Sequence, residues 1–436
     1  MDLLVRSRRM LPPGGLRPAS MLVRDGRIVS IGELDATVAG ARRVDAGDDV
    51  VMPGVVDTHV HVNEPGRTDW EGFRTATEAA AAGGITTIVD MPLNSIPVTT
   101  TRAALRAKRE AARGQLSVDA AFWGGVVPGN LGELRPMAED GIAGFKCFLI
   151  DSGIEEFGWV GEAELRPAMA ELRRLQRPLL AHAEVAGPML PADGDPRTYA
   201  SYLASRPRAA ENEAVALLAQ LCAETKARTH VVHHSSSDAL ATVRAAREAG
   251  LPFSAETCPH YLHFAAEEVP DGSTEFKCAP PIRERENREK LWAALGEGVL
   301  ELVASDHSPC APALKKREQG RFDEAWGGVS GLQLSLSVTW TEAQKRGYGL
   351  ERLAAWMCEA PARLAGLASR KGALRPGLDA DFIVFRPEER FTVDPARLLH
   401  KHKLTPYAGR ELQGVVAQTY LRGAPAQAGR GEVLAR

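Results

Sequence analysis

Cysteine is sparse in this sequence, and no pattern links its members. Six thiols, Cys147, Cys222, Cys258, Cys278, Cys310 and Cys358, are scattered singly through 436 residues without a C-x-x-C pair. That excludes a disulfide scaffold and a cysteine-based zinc knuckle. Long apolar runs are missing too: no stretch reaches the roughly 18 residues that cross a bilayer. The opening MDLLVRSRRMLPPGG lacks the apolar core of a secretory signal, so the expected location is the cytoplasm. Nor is there a block of like charge. Arginines come in scattered pairs and the formal net charge is −3, which leaves no electrostatic case for binding nucleic acid or an anionic membrane. What is present, 44% hydrophobic and 25% charged residues, suits a globular protein with a large core. A small molecule is the expected partner.

Residues 1–51 read as short strands and turns: DLLVRS, SMLVRDGRIVSIG with an Asp25-Gly26 hairpin signal, and RRVDAGDDVVMPG. From residue 52 the pattern changes to eight short apolar runs, GVVDTHV, ITTIVDM, VDAAFWGGV, IAGFKCFL, PLLAHAE, THVVHHS, LPFSAET and LELVASD. Stretches with helical spacing separate them, such as EGFRTATEAAAAGG and ENEAVALLAQLCAETKA. Eight β-α units predict an α/β fold, a (β/α)8 TIM barrel over residues 52–370. Strand and turn character returns in GALRPGLDADFIVFRP and GVVAQTYLRGAPAQAG. Residues 371–436 are therefore expected to join residues 1–51 in a small discontinuous β-sandwich domain.

In a strand, residues i and i+2 share a face, so His59 and His61 can reach one ion at the end of the first barrel strand. Barrel enzymes keep their chemistry at that end. Alone the pair says little. Other runs end similarly, with Lys146 in GFKCFL, His182 in LLAHAE, His233 and His234 in VVHHSSS, and Asp306 in VASDHSP. His233 and His234 alternate along a strand, and periodicity does not choose between them. Four histidines and an aspartate exceed the three protein ligands of a mononuclear catalytic site, and fall short of two such sites without a bridge. Lys146 as an ammonium offers no acceptor. As a carbamate, formed with carbon dioxide, it would offer two oxygens.

The segments PGVVDTHVHVNEPG, GFKCFL, AHAE, VVHHSSS, ETCPHYL, KCAPPIR, SDHSPC and KGALRPGLDADFIVF together resemble the cyclic amidohydrolases. That family includes dihydroorotases, dihydropyrimidinases (hydantoinases) and allantoinases, and the likeness covers nearly the whole chain. It implies two divalent metal ions, usually zinc, bridged by a lysine carboxylated by carbon dioxide at its side-chain nitrogen. His59, His61 and Asp306 would bind one metal and His182 and His233 the other, with Lys146 and a hydroxide between them. The likeness selects His233 and leaves His234 as a lining or packing residue. It makes Asp306 the catalytic base and then acid, and implies a homo-oligomer, tetramer or dimer.

Within the family the departures are informative. Dihydroorotases carry an arginine two residues after His-x-His that binds the substrate carboxylate; here Asn63 stands there, with Arg67 further on. Dihydropyrimidinases carry a tyrosine after the lysine and an asparagine in the loop after strand eight, where this chain has Asp151 and Gly327. With MPLNSIPVTT after the second strand, these departures resemble the allantoinase branch. Its substrate, allantoin, is a neutral hydantoin ring bearing a ureido group, opened to allantoate in purine (ureide) catabolism. Alternatives are a hydantoinase or dihydropyrimidinase acting on other cyclic ureides, and a non-catalytic oligomeric relative, against which the filled ligand positions argue. Asn63 and the backbone N–H groups around Ala279 and Ser308 are candidate substrate contacts. The long charged loop APALKKREQGRFDEAWGG reads equally as a lid or as a solvated surface loop.

Overall fold

The computed structural model describes residues 2–436. Five strands come first: β1 (Leu3–Met10), β2 (Arg17–Arg24), β3 (Arg27–Gly32), β4 (Arg42–Asp45) and β5 (Val50–Pro53). Eight parallel strands follow: β6 (Val55–Val60), β7 (Ile85–Asp90), β8 (Asp119–Gly125), β9 (Gly144–Phe148), β10 (Leu179–His182), β11 (Thr229–Val231), β12 (Phe253–Thr257) and β13 (Leu302–Val303). They lie side by side in sequence order. A parallel bridge between Val60 and His307, and the His61 N–H donating to the His307 carbonyl at 2.8 Å, bring the last strand end back to the first. These contacts close the (β/α)8 barrel.

Each apolar run read from the sequence supplies one barrel strand. The strands are buried on both faces, which is why they read as continuous apolar runs rather than as alternation. Helices alternate with them. The helix Arg102–Ala112 starts where the Thr101 hydroxyl accepts the Ala104 N–H at 3.1 Å, as an N-cap does. The strands are shorter than their runs, most of all β11 and β13, because the final residues of those runs leave the sheet and turn into the barrel mouth.

After the barrel come β14 (Phe382–Thr392), β15 (Glu411–Leu421) and β16 (Ala424–Pro425). They join the first five strands in the order β16-β15-β14-β5-β1-β2-β3, with β4 added beside β1. The discontinuous assembly expected from the sequence is present, as one hydrogen-bonded sheet that branches at β1. It encloses its own core, including Val5, Met21, Val23, Val51, Leu374 and Phe382.

The small sheet is fastened to the end of the barrel remote from the strand C-termini. Lys371 is fully buried and pairs with Asp119 at the start of β8, with Asp379 and with Asp381. Arg422 holds Asp119 from the sheet side at 2.8 and 2.7 Å. Burial lowers a lysine pKa, but Asp381, Asp119 and Asp379 outweigh it and raise that of Lys371. Removing one member of such a network strands the others without compensation. Lys371→Met is expected to cost about 3–5 kcal/mol, measured as a lowered urea midpoint with unchanged denaturant slope.

Candidate metal centre

His59 lies within β6, and its ring is fixed from behind. Its Nδ1 donates to Glu256 Oε1 at 2.6 Å, which leaves the Nε2 lone pair pointing inward, 3.2 Å from Asp306 Oδ1 and 3.3 Å from Lys146 Nζ. His61 Nε2 faces the same Asp306 oxygen at 3.5 Å. Ligand atoms of His59, His61 and Asp306 all lie within 4.8 Å of one another. On the other side, His182 Nδ1 faces His233 Nε2 at 3.1 Å, and His182 Nε2 donates to Glu184 Oε2 at 2.8 Å. The Lys146 amine lies over the ring of Phe148, which is stacked on His182. All six residues expected at strand ends therefore meet in one place.

Strand alternation does not explain the meeting. β11 ends at Val231, and His233 reaches the centre with φ 37°; Asp306, beyond β13, has φ 45°, while Asn63 and Asn94 at neighbouring strand ends have φ 65° and 67°. Non-glycine residues enter this left-handed region at a cost. At Asn94, His233 and Asp306 it accompanies residues that reach the cavity, whereas Asn63 is turned onto the Pro309 carbonyl. His234 is buried but away from the ligand atoms, with both ring nitrogens unpartnered.

Burial sets the protonation states. It pushes the pKa values of His59 and His233 well below the usual 6.5, and lowers those of His61 and His182. The four rings are neutral near pH 7, the form that donates a lone pair to a metal. Burial also depresses Lys146 to about 8, opposed in part by Asp306 and Glu256. A neutral amine, the form that adds carbon dioxide, is thus populated near neutral pH.

His61, Lys146, His182, His233 and Asp306 line one cavity of about 450 Å³. Among the candidate substrate contacts, Ala279 lies on its wall with a backbone N–H that has no partner among the described residues. Ser308 also lines it, but its backbone N–H is spent on the Val329 carbonyl at 2.9 Å and cannot serve as the expected donor. Gly328 packs so closely there that a Cβ would run into the Ser308 carbonyl. Asn63 is not on the wall: it is buried, with Nδ2 donating to the Pro309 carbonyl at 3.1 Å. Asn94, from MPLNSIPVTT, takes that place beside His61, and reading the sequence overlooked it. Arg67 is also committed, donating to the Asn94 carbonyl at 3.0 Å and to Glu156 at 3.1 Å. The long loop forms part of the cavity wall and is tied to it by several contacts. The buried Lys315 donates to the carbonyls of Trp326 and Gly328, Phe322 packs on Tyr199 and Tyr202, and Trp326 meets Trp70.

A barrel that gathers imidazoles, a carboxylate and a lysine at the C-terminal ends of its strands defines a class, the metal-dependent hydrolases. The comparisons place the chain within it. Residues 50–426 match the amidohydrolase family. The sequence is 52% identical to an allantoinase of Streptomyces avermitilis, over 97% of this chain and 95% of that one. It is 44% identical to an allantoinase of Arabidopsis thaliana, over 96% and 87%. Its fold matches the L-hydantoinase (dihydropyrimidinase) of Arthrobacter aurescens with a TM-score of 0.93 at 33% identity, covering all of both chains. The chain belongs to the amidohydrolase family, and within it is a cyclic amidohydrolase.

Behind the candidate ligands stand carboxylates that the sequence reading did not assign, Glu256 and Glu184. Their signal was a charged residue inside or beside an apolar strand run, in SAET and AHAE. Glu184 is clamped by Arg206 at 3.0 and 2.6 Å. Burial raises its pKa, but Arg206 and His182 more than reverse this and bring it from 4.5 down to about 2. Because the folded value is the lower one, the stabilisation is complete above pH 4.5 and is lost as pH falls toward about 2. Glu184→Gln is expected to flatten that limb of the stability–pH curve of the metal-free protein, measured by denaturant unfolding at stepped pH. An unchanged acid limb would contradict the clamp.

Proposed function

We propose that this chain hydrolyses the ring amide of allantoin to give allantoate, a step in the breakdown of purine-derived ureides. The observation that carries this reading is the cavity. Five of the six candidate ligand residues line one cavity with His59 buried behind them, and among the described residues no free guanidinium lines it to receive a carboxylate: Arg206, on the wall, is held by Glu184. A neutral ring rich in N–H and C=O groups suits those walls. The allantoinase relatives named above support the same substrate.

The donor set fits two divalent ions. The buried rings are neutral, and His59 and His182 are each oriented by a carboxylate on the far nitrogen, the arrangement by which proteins aim metal-binding imidazoles. His59, His61 and Asp306 would hold one ion and His182 and His233 the other, with Lys146 bridging them as a carbamate. Imidazole and carboxylate donors suit zinc. Bound there, the ions would polarise the ring carbonyl and acidify a water molecule.

The remaining work belongs to the chain's own side chains and backbone. Water adds across the ring C–N bond, its oxygen to the carbonyl carbon and its proton to the ring nitrogen. Asp306 Oδ accepts that proton and returns it to the departing nitrogen, base first and acid second. The unpartnered Ala279 N–H donates to a ring carbonyl, and the Asn94 amide meets a ring edge. Phe148, stacked on His182, keeps bulk water from that flank. A second reading, a hydantoinase acting on other cyclic ureides, draws on the likeness to the Arthrobacter aurescens enzyme. We place the protein in the cytoplasm as a homotetramer or dimer; among the described residues no helix is long and apolar enough to cross a membrane.

Turnover of allantoin, hydantoin and dihydrouracil by one preparation of known metal content tests the substrate. Allantoin is expected to give the highest kcat/KM, and the reading fails if it gives the lowest. Lys146→Ala is expected to lose both ions by metal analysis and more than about a hundredfold of activity, since even outer ligand-orienting residues can be worth that much. A short carboxylic acid supplied in solution should restore part of the rate. Two retained ions and a full rate without the acid would remove the bridge from the scheme.

A further inference from the structure

We propose that Lys277 is the specificity-determining residue for the substrate's side arm, its ammonium receiving the carbonyl oxygen of the ureido group that distinguishes allantoin from a bare hydantoin ring. This rests on the allantoin reading above. Among the described residues three cationic side chains line the cavity: Lys146, Arg206 and Lys277. Lys146 belongs to the ligand cluster and Arg206 is bound to Glu184 through two nitrogens. Lys277 forms no ion pair with any described residue. Of its three N–H donors, one goes to the Ala325 carbonyl at 2.6 Å and another leans toward the Asp323 carbonyl at 3.4 Å. The ammonium lies 5.3 Å from the centre of the Tyr202 ring, and donor capacity is left over.

Its surroundings select the kind of group it can receive. The carbonyls of Asp323 and Ala325 flank Nζ, and Asp323 and Glu324 line the same cavity with their carboxylates paired to Arg321 at 2.7 and 2.8 Å. A carboxylate arm would set acceptor oxygens against those two carbonyls and bring no donor to them. A ureido arm presents a carbonyl oxygen to the ammonium and N–H groups to the flanking carbonyls, so each polar atom finds a complement. Lys277 is also held in place: its own carbonyl accepts the Gly328 N–H at 2.7 Å, and that of Cys278 accepts the Tyr202 hydroxyl at 2.7 Å. Two residues along, Ala279 offers its free N–H to the same cavity. Ring and arm can therefore be read by one short stretch of chain, KCA.

The test crosses the residue with the arm. Values of kcat/KM for allantoin and for hydantoin, which lacks the arm, are measured on wild-type and Lys277→Met holoenzyme, with metal content and thermal unfolding followed on the same samples. Where hydantoin turns over too slowly, its inhibition constant against allantoin replaces the rate. Loss of a hydrogen bond to a charged donor predicts a fall of about tenfold or more for allantoin, with hydantoin changed by less than about twofold. Equal losses on both compounds would mean that Lys277 only anchors residues 323–328, and would overturn the proposal. So would tighter binding of hydantoin-5-acetate than of allantoin that disappears in the variant, because the residue would then select carboxylate. If Lys277→Met loses metal or unfolds, Lys277→Gln, which keeps a donor for Ala325, is read in the same way. A wild-type enzyme for which allantoin is the poorest of allantoin, hydantoin and dihydrouracil would refute the allantoin reading itself, a result distinct from either outcome for Lys277.

Discussion

The site hangs on one buried carboxylate. Glu256, in β12, accepts from His59 Nδ1 at 2.6 Å, from His230 Nε2 at 3.0 Å and from the His233 N–H at 3.3 Å. A charge taken out of water costs several kcal/mol unless its partners are well placed, so those donors are not free to wander. The bond to His59 fixes the tautomer that leaves Nε2 free, and the bond to the His233 backbone sets where the chain turns after β11. One acidic side chain thereby orients candidate ligands on both halves of the centre, His59 in β6 and His233 beyond β11. Glu184 repeats the device for His182, with Arg206 behind it.

Left-handed backbone at Asn63, Asn94, His233 and Asp306 is the second constraint. A parallel strand buried on both faces can aim alternate side chains inward, but it does not aim residues that lie beyond its end, as Asn94, His233 and Asp306 do. The turn at each end supplies the missing rotation, at roughly 1–2 kcal/mol apiece. Surrounding hydrogen bonds hold these turns in place: the Arg67 N–H donates to the Asn63 carbonyl at 3.1 Å, and Arg67 Nη1 to the Asn94 carbonyl at 3.0 Å. His307 does similar work beside Asp306, its carbonyl taking the His61 N–H and its Nδ1 taking the N–H groups of Gly331 and Leu332 at 3.3 and 3.4 Å.

Much of this was legible in the sequence, and the remainder was hidden for identifiable reasons. All eight barrel strands announce themselves because burial on both faces demands unbroken apolar runs; His61, His182 and Asp306 stand at or near the ends of those runs, with His59 and Lys146 inside them. The choice between His233 and His234 could not be made by period two, since the strand has already ended at Val231 and a left-handed residue does the aiming. Asn63 drew notice as the neighbour of His-x-His, yet its amide is turned onto Pro309, and the asparagine on the cavity wall comes from the end of the next strand. Spacing along one strand carries no information about which of two loops lies nearer the axis. The Ser308 N–H failed as a donor for a related reason: its partner, Val329, lies across a loop whose path the sequence does not disclose.

The pairing of β5 with β14 carries a consequence for how the protein is made. These strands flank the barrel in sequence but lie side by side at the centre of the small sheet. During synthesis β1 to β5 emerge first, and β5 presents an unpaired edge of Val50, Val51 and Met52 until the whole barrel has been threaded and β14 arrives. An exposed apolar edge is a template for pairing with another chain. The barrel is therefore complete in sequence before its companion sheet can close, and the segment from Phe382 onward supplies the strand that covers this edge.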